Sequence, residues 1–275
     1  MRKIIYFSLI IIVLISLSSS TSQFSKVENT AYRRGEKLKY SVYYNSMITG
    51  NVTAGELTTE ITNDSLKFSN RPTYHIHLIG KSAGTFNWFM KVRDSYETWI
   101  DEDAQIPWYF RNRVQEGDYK ASKDIAFYHH NKQAKYINNK NKNTKMVDIP
   151  QNIQDMISAI YYARNIDFSD AKIGTKYPIN FMFDDSVYQT QLEYVGLFFL
   201  TTKIGKIECL KFKPRVLSGG VFKDETPLTL YVTNDKNRIP VFAESEIIVG
   251  SVRMELVDYS GLKNPFSSLK AKRKN

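Results

Sequence analysis

The chain lacks most of what makes a function readable at sight. Of its 275 residues one is cysteine, Cys209, so no internal disulfide can form and an exported chain of this kind must rely on its core. Cys-x-x-Cys pairs, His-Glu-x-x-His helices and glycine-rich phosphate loops are absent, and no nucleophile elbow is recognised, which leaves no familiar zinc, nucleotide or hydrolase signature. Excess charge is also missing from the body. Of the net charge of +10, Arg2 and Lys3 at one end and Lys270, Lys272, Arg273 and Lys274 at the other supply six, leaving about +4 for the residues between. A nucleic-acid footprint needs a denser basic stretch than that, so no nucleic-acid partner is expected. Long hydrophobic runs are confined to Ile4–Leu17, about 14 residues where a spanning helix needs ~20.

That run follows Arg2 and Lys3 and precedes the small polar string "SSSTSQ", the charged, apolar, small-residue order of a secretory signal peptide. The expected leader is 1–22, with cleavage between about Ser19 and Ser22. No transmembrane span is expected once it is removed. This points to a periplasmic location, with release outside the cell as the alternative. The basic tail, 266–275, reads as a solvated end.

Aromatics are abundant: 18 Tyr and 16 Phe, far from a disordered composition. From Lys37 the dominant period is two. In "KLKYSVYYN", Leu38, Tyr40, Val42 and Tyr44 share one face while Lys37, Lys39 and Ser41 share the other, the mark of a half-buried antiparallel strand. Similar runs recur at "TYHIHLIG", "SYETWID", "PWYFRNRVQ", "DIAFYHH", "KYPINFMF" and on to "VGSVRMELVDYS", separated by turn signals such as "EGD" and "NDKN". The Asn- and Lys-rich stretch 131–145 reads as a solvated hairpin end. One segment breaks the period: Ile153, Met156, Ile157, Ile160 and Tyr161 fall at helical spacing, which predicts one main helix at about 151–165.

A count of surfaces then decides the architecture. About a dozen strands with one apolar face each cannot be covered by one helix of some 15 residues. The expected fold is therefore mainly β: a large curled antiparallel sheet, open or closed like a barrel, forming a single domain over 30–265, with two sub-halves joined by the helix as an alternative. A sheet curled around one helix tends to leave a concave apolar lining.

The segment "GTFNWFMKVRDSYETWID" concentrates Phe86, Trp88, Phe89, Tyr96 and Trp99 around Lys91, Arg93 and Asp94. Barrel-closing core, ligand wall and partner patch all fit such a composition. The ligand-wall reading places Trp88, Phe89 and Trp99 beside Ile153, Met156, Ile157 and Ile160, with Arg93 and Asp94 as candidates for a charged pair, since a desolvated charge needs a partner. His75 and His77 share a strand face but lack a fixed third ligand, and His129 and His130 point to opposite faces. No metal, cofactor or catalytic residue is assigned. "FDDSV" reads as a hairpin turn.

The elements "RRGEKLKYSVYYNSMITGNVTAGEL", "FNWFMKVRDSYETWID", "YFRNRVQEGDYK", "QDMISAIYYARNIDF", "LKFKPRVLSGGVFK", "LYVTNDKNRIPV" and "SGLKNP" resemble the exported bacterial domain of unknown function 3108, frequent in Bacteroidetes, over roughly residues 30–265. The resemblance implies an envelope location and a β-rich fold, and brings no assigned activity or catalytic residues. On fold expectation alone, the curled sheet is also similar to periplasmic lipoprotein carriers. The leading expectation is a binder of a lipid or acylated ligand. The alternatives are an envelope assembly protein that docks a protein partner through an aromatic patch, and, third, a hydrolase-like enzyme with an unrecognised site.

Overall fold

The computed structural model describes residues 24–47, 50–218, 228–246 and 250–272. The expected leader, 1–22, lies outside them. Strands β1 (Lys37–Ser46), β2 (Gly50–Ile61), β3 (Lys67–Phe68) and β4 (Arg71–Ser82) lead to a one-turn helix, α1 (Phe86–Phe89). Then come β5 (Arg93–Asp101), β6 (Pro107–Glu116), β7 (Tyr119–Tyr128), β8 (Gln133–Asn138) and β9 (Asn143–Asp148). The short β10 (Gln154–Asp155) enters helix α2 (Met156–Ala163). After it follow β11 (Lys176–Phe183), β12 (Ser186–Thr201), β13 (Gly205–Ser218), β14 (Leu228–Thr233), β15 (Pro240–Glu246), β16 (Ser251–Ser260) and β17 (Leu269–Lys272).

The protein is mainly β, as the period-two pattern predicts. Hydrogen-bonded neighbours run β9-β8-β7-β6-β5-β4-β2-β1, all antiparallel. The sheet continues β1-β16-β15-β14-β13-β12-β11, again antiparallel. The sheet curls without closing. Its two ends are drawn together by side chains instead: Lys123 Nζ of β7 lies 2.7 Å from an Asp184 carboxylate oxygen, and Lys145 Nζ of β9 lies 2.9 Å from Asp185. These two aspartates form the β11–β12 turn that "FDDSV" predicts, with Asp184 at φ +52°.

The helix is shorter than its spacing predicts, because Gln154 and Asp155 pair in parallel with Phe181 and Met182 of β11. Asp155 is the N-cap. Its carboxylate accepts from the Ile157 and Ser158 amides at 2.8 Å each, and Ser158 Oγ accepts from the Asp155 amide at 2.7 Å, a reciprocal capping box.

Of the tail expected to be a solvated end, residues 266–272 pack on the sheet or pair with it, and 273–275 lie outside the described residues. Phe266 packs on Tyr259 at 4.8 Å, and β17 pairs with the start of β13. Gly205, at φ +142°, admits the approach: a Cβ built there would lie 2.0 Å from the Ala271 carbonyl oxygen.

Three apolar clusters hold the fold. One sets Ile153, Ile157 and Tyr161 against Ile76, Ile100, Phe110, Ile125 and Phe127 of the β4–β7 strands. A second gathers Leu38, Tyr40, Ile207, Cys209, Val241 and Leu256. The third joins Phe168, Ile179, Leu192, Leu210, Phe212 and Val232. Cys209 is fully buried, and burial pushes its thiol up to about 12, the behaviour of a small apolar side chain.

Candidate functional site

Between α2 and the concave face of β1, β2 and β11–β16 lies a cavity of about 420 Å³. Met156, Ala159 and Ile160 project into it from the helix, facing Leu57, Leu192 and Leu230 across the space. Ile160 is 43% exposed although its helix is wrapped by sheet, whereas Ile157, one residue-turn away on the cluster side, is 1% exposed. The wall on this half mixes large side chains, among them Phe181, Phe212 and Met254, with short or ring-constrained ones, Thr190, Pro214, Pro240 and Ala243. Together they leave the space beside the helix unfilled, below the usual interior density.

Two arginines interrupt the apolar wall. Arg164, just past the end of α2, is buried and its donors are spoken for: Nε gives to the Asn237 carbonyl at 2.9 Å, and the two terminal nitrogens give to Glu36 at 2.5 and 2.8 Å. Its guanidinium also lies 5.3 Å from the Tyr32 ring and 5.1 Å from the Tyr161 ring. Burial raises the pKa of Tyr161 to about 12, with the Glu36 charge adding to it and Arg164 opposing. Arg238 is different. It sits half-buried in the β14–β15 turn at φ +49°, its guanidinium 5.2 Å over the ring of Phe168, another wall residue.

The residues expected to line a site divide. Met156, Ile157 and Ile160 lie at the cavity. Ile153 is fully buried in the neighbouring cluster and lies outside the lining. Trp99 does not line it. Ile100 and Tyr96 point into the core, so Trp99 and Glu97, at odd positions of β5, face the other side of the sheet. There Trp99 is covered by His75, stacked at 4.4 Å, and by Phe68, Tyr109 and the Arg111 guanidinium. Trp88 is 86% exposed on α1 and is no cavity wall either; the Phe89 side chain lies outside the described positions.

Arg93 and Asp94 form no pair with each other. As strand neighbours they point to opposite faces. Arg93 gives to the Val92 carbonyl at 2.5 Å, while Asp94 accepts from the Gln115 amide at 3.0 Å. Burial raises the Asp94 pKa, and burial with the nearby Asp94 charge raises that of Glu116.

His75 and His77 are held by other side chains. Both ring nitrogens of His75 are engaged by carboxylates, Nδ1 by Asp64 at 2.7 Å and Nε2 by Glu97 at 2.9 Å, and His77 Nε2 meets Ser95 Oγ at 2.9 Å. No group of three metal-ligating side chains occurs among the described residues. One motif had gone unrecognised: Gly80-Lys81-Ser82-Ala83-Gly84 has the spacing of a nucleophile elbow, at a strand end before a helix. Its context departs from one. Ser82 Oγ gives to Asn87 Oδ1 at 2.7 Å and accepts from the Val92 amide at 2.9 Å, so it bonds an amide and a backbone N–H where a nucleophile needs a base.

What sequence reasoning missed was the buried Glu36–Arg164 pair and Arg238. Neither carries a motif. The signal available was only the placement of Arg164 at the end of the apolar helical stripe.

The family model for DUF3108, a protein family of unknown function, matches residues 39–257, and the chain belongs to that family. No curated protein matches the sequence. Among solved structures, the chain is similar to a β-barrel-like protein of the domain of unknown function DUF1849 from Brucella abortus, at TM-score 0.55 and 12% identity over 82% of this chain and 96% of that one. A candidate lipoprotein from Parabacteroides distasonis matches at TM-score 0.36 and 11% identity, over 86% of this chain and 100% of that one. A candidate exported protein with a YmcC-like fold from Bacteroides fragilis matches at 0.35 and 8%, over 86% and 99%. The likeness to the Brucella protein is one of fold; the other two are too distant in backbone geometry to carry an argument.

Proposed function

We propose that this DUF3108 protein is exported and binds an apolar or amphipathic ligand, a lipid or acyl chain, between α2 and the concave sheet. The observation that carries the reading is the apolar cavity itself. Its volume of about 420 Å³ falls within the ~300–1,000 Å³ of small-molecule sites, while packed interiors leave few voids larger than a water. Its walls offer shape and burial with few polar atoms, which suits a hydrocarbon chain. Export to the periplasm rests on the order of residues 1–23. Among the described residues no helix is long and apolar enough to cross a membrane.

The test is binding of a dansyl-labelled fatty acid to the full mature chain. Micromolar binding is expected, and Ile160→Trp, which fills the space from the helix side, should weaken it at least about tenfold, or ~1.4 kcal/mol, with the melting temperature preserved. A wild-type protein that takes up no acyl probe at micromolar concentration sinks the proposal.

A second reading, docking of an envelope protein partner, draws on an exposed apolar run on β12. Leu197 and Phe199, on one face of the strand, are 50% and 55% exposed, and Lys206 lies over the Phe199 ring at 4.9 Å; Phe198 points to the opposite face. Exposed patches of this kind mark interaction surfaces. Phe199→Ser would leave acyl binding intact and remove partner capture if this second reading holds.

A further inference from the structure

Arg238 stands out among the charges near the cavity because nothing anionic holds it. Among the described residues its guanidinium makes no ion pair or hydrogen bond, only the stack on Phe168. The two carboxylates whose charges reach it make their hydrogen bonds to other groups: Asp235 accepts from Thr233 Oγ1, the Asn237 amide and Ser268 Oγ at 2.8, 2.9 and 2.7 Å, and Asp167 from the Ser169 amide at 2.9 Å. Their charges still act in favour of the cation, while burial, the larger effect, lowers its pKa. An arginine remains charged regardless. A half-buried, unpaired guanidinium is costly unless an anion completes it.

Its mount is rigid. Asn237 is fully buried with Nδ2 giving to the Asn264 and Pro265 carbonyls at 3.2 and 3.1 Å, and Ile239 on the other side is fully buried in the core. The side chain therefore leaves the turn from a clamped backbone, beside a cavity otherwise lined with hydrocarbon.

Building on the cavity reading above, we propose that Arg238 is the head-group anchor of the site and that the ligand is an anionic amphiphile, its carboxylate or phosphate held by the Arg238 guanidinium and an acyl chain laid against Ile160, Leu192 and Leu230. The planar fork of donors matches both oxyanions. The other arginine at the wall cannot serve, since Glu36 already occupies it.

Four ligands and two variants separate the outcomes: dansyl-undecanoic acid, its methyl ester, dodecyl phosphate and inorganic phosphate, against the wild-type chain, Arg238→Gln and Arg238→Lys. The wild type is expected to prefer the acid over the ester by about tenfold, the scale of a charge-assisted hydrogen bond. Arg238→Gln should erase that preference while ester affinity and melting temperature stay put, and Arg238→Lys should restore part of it. Dodecyl phosphate is expected to displace the acid, and inorganic phosphate is not. Equal affinity for acid and ester in the wild type overturns the anchor and leaves the cavity reading standing. Failure of both probes to bind overturns both. Displacement by inorganic phosphate alone overturns the amphiphile in favour of a simple anion site.

Discussion

On one side of α2 the interior is full; on the other it is open. Ile157 and Tyr161 border the cavity yet belong to the packed cluster with Phe110 and Ile125 of β4–β7, and are 1% and 3% exposed. Met156, Ala159 and Ile160 face β11–β16, where the opposing positions include Ala243, Pro214 and Thr190. The same helix and the same curled sheet thus build a core on one side and a cavity on the other. Curvature alone does not make a binding site. Each half can be perturbed without touching the other, which makes the contrast measurable.

The largest effect is expected where the two halves join. Glu36 and Arg164 are 1% and 3% exposed, and they pin the N-terminal segment to the end of α2. Glu36→Leu would leave the guanidinium buried with only the Asn237 and Ala31 carbonyls, a loss of about 3–5 kcal/mol. Replacing both partners, Glu36→Leu with Arg164→Met, should recover most of that loss, because no orphaned charge remains. Chemical denaturation of the three proteins measures it; a double variant as unstable as the single one would show that the pair is needed for more than its own compensation.

Next comes the comparison on the helix itself. Ile157→Ala should cost about 2–5 kcal/mol, the usual range for a packed isoleucine. Ile160→Ala should cost about 1 kcal/mol or less, since its outer surface meets no partner atoms to lose. Equal costs would mean that the cavity side is as tightly packed as the other.

How much of this contrast could be read from the sequence follows from the same residues. Alternation carried the β architecture, and helical spacing carried Met156, Ile157 and Ile160 to the interior. Period-two patterning says which residues share a face but not which face is inside, and that is why Trp99, aromatic and 5% exposed, was assigned to the wrong side. It is buried by His75, Phe68 and Tyr109 on the outer surface. Bulges hide in the same way: a register shift between Val42 and Tyr43 leaves Tyr43 6% exposed, outside the alternating set. The helix began late because Gln154 and Asp155 found a strand partner 27 residues downstream, Phe181 and Met182, a pairing that local spacing cannot show. Arg238 sits in a turn whose composition reads as solvent-facing, and only its long-range setting over Phe168 says otherwise.

A pH-dependent effect of intermediate size separates the filled side from the open one. Burial raises the Asp155 carboxyl to about 6, against the hydrogen bonds from Thr98, Ser158 and Ile157 that favour its ionised form. The folded protein therefore holds this proton more tightly than the unfolded chain, whose carboxyl titrates near ~4. The stabilisation is complete below about pH 4 and is lost as pH rises through about 6, a change of roughly 3 kcal/mol for two pH units. Asp155→Asn keeps an acceptor for the helix amides and cannot ionise. Measured by urea unfolding from pH 4 to pH 7, its stability relative to wild type should rise by roughly that amount. The raised carboxyls of Asp94 and Glu116 act equally in both proteins and drop out of the difference. A flat difference would place the Asp155 proton elsewhere than argued.

The smallest effect tests whether the two ends of the sheet need each other. The β9 edge reaches the β11–β12 turn through Lys145 and Asp185, whose side chains are 55% and 43% exposed, while Lys123 and Asp184 beside them are 18% and 34% exposed. Exposed pairs contribute ~0.2–1 kcal/mol and are screened by salt. Lys145→Ala should therefore lower stability by no more than about 1 kcal/mol, with the difference shrinking as salt is added. Lys123→Ala should cost somewhat more, because its ammonium is the less hydrated of the two and leaves Asp184 short of its cation. If the open seam is what lets the cavity half breathe, amide exchange in β11 should quicken in the Lys123→Ala, Lys145→Ala double variant while β5 and β6 stay protected. Uniform exchange across both halves would make the sheet a single cooperative unit, with the seam contributing nothing to the contrast between its filled and open sides.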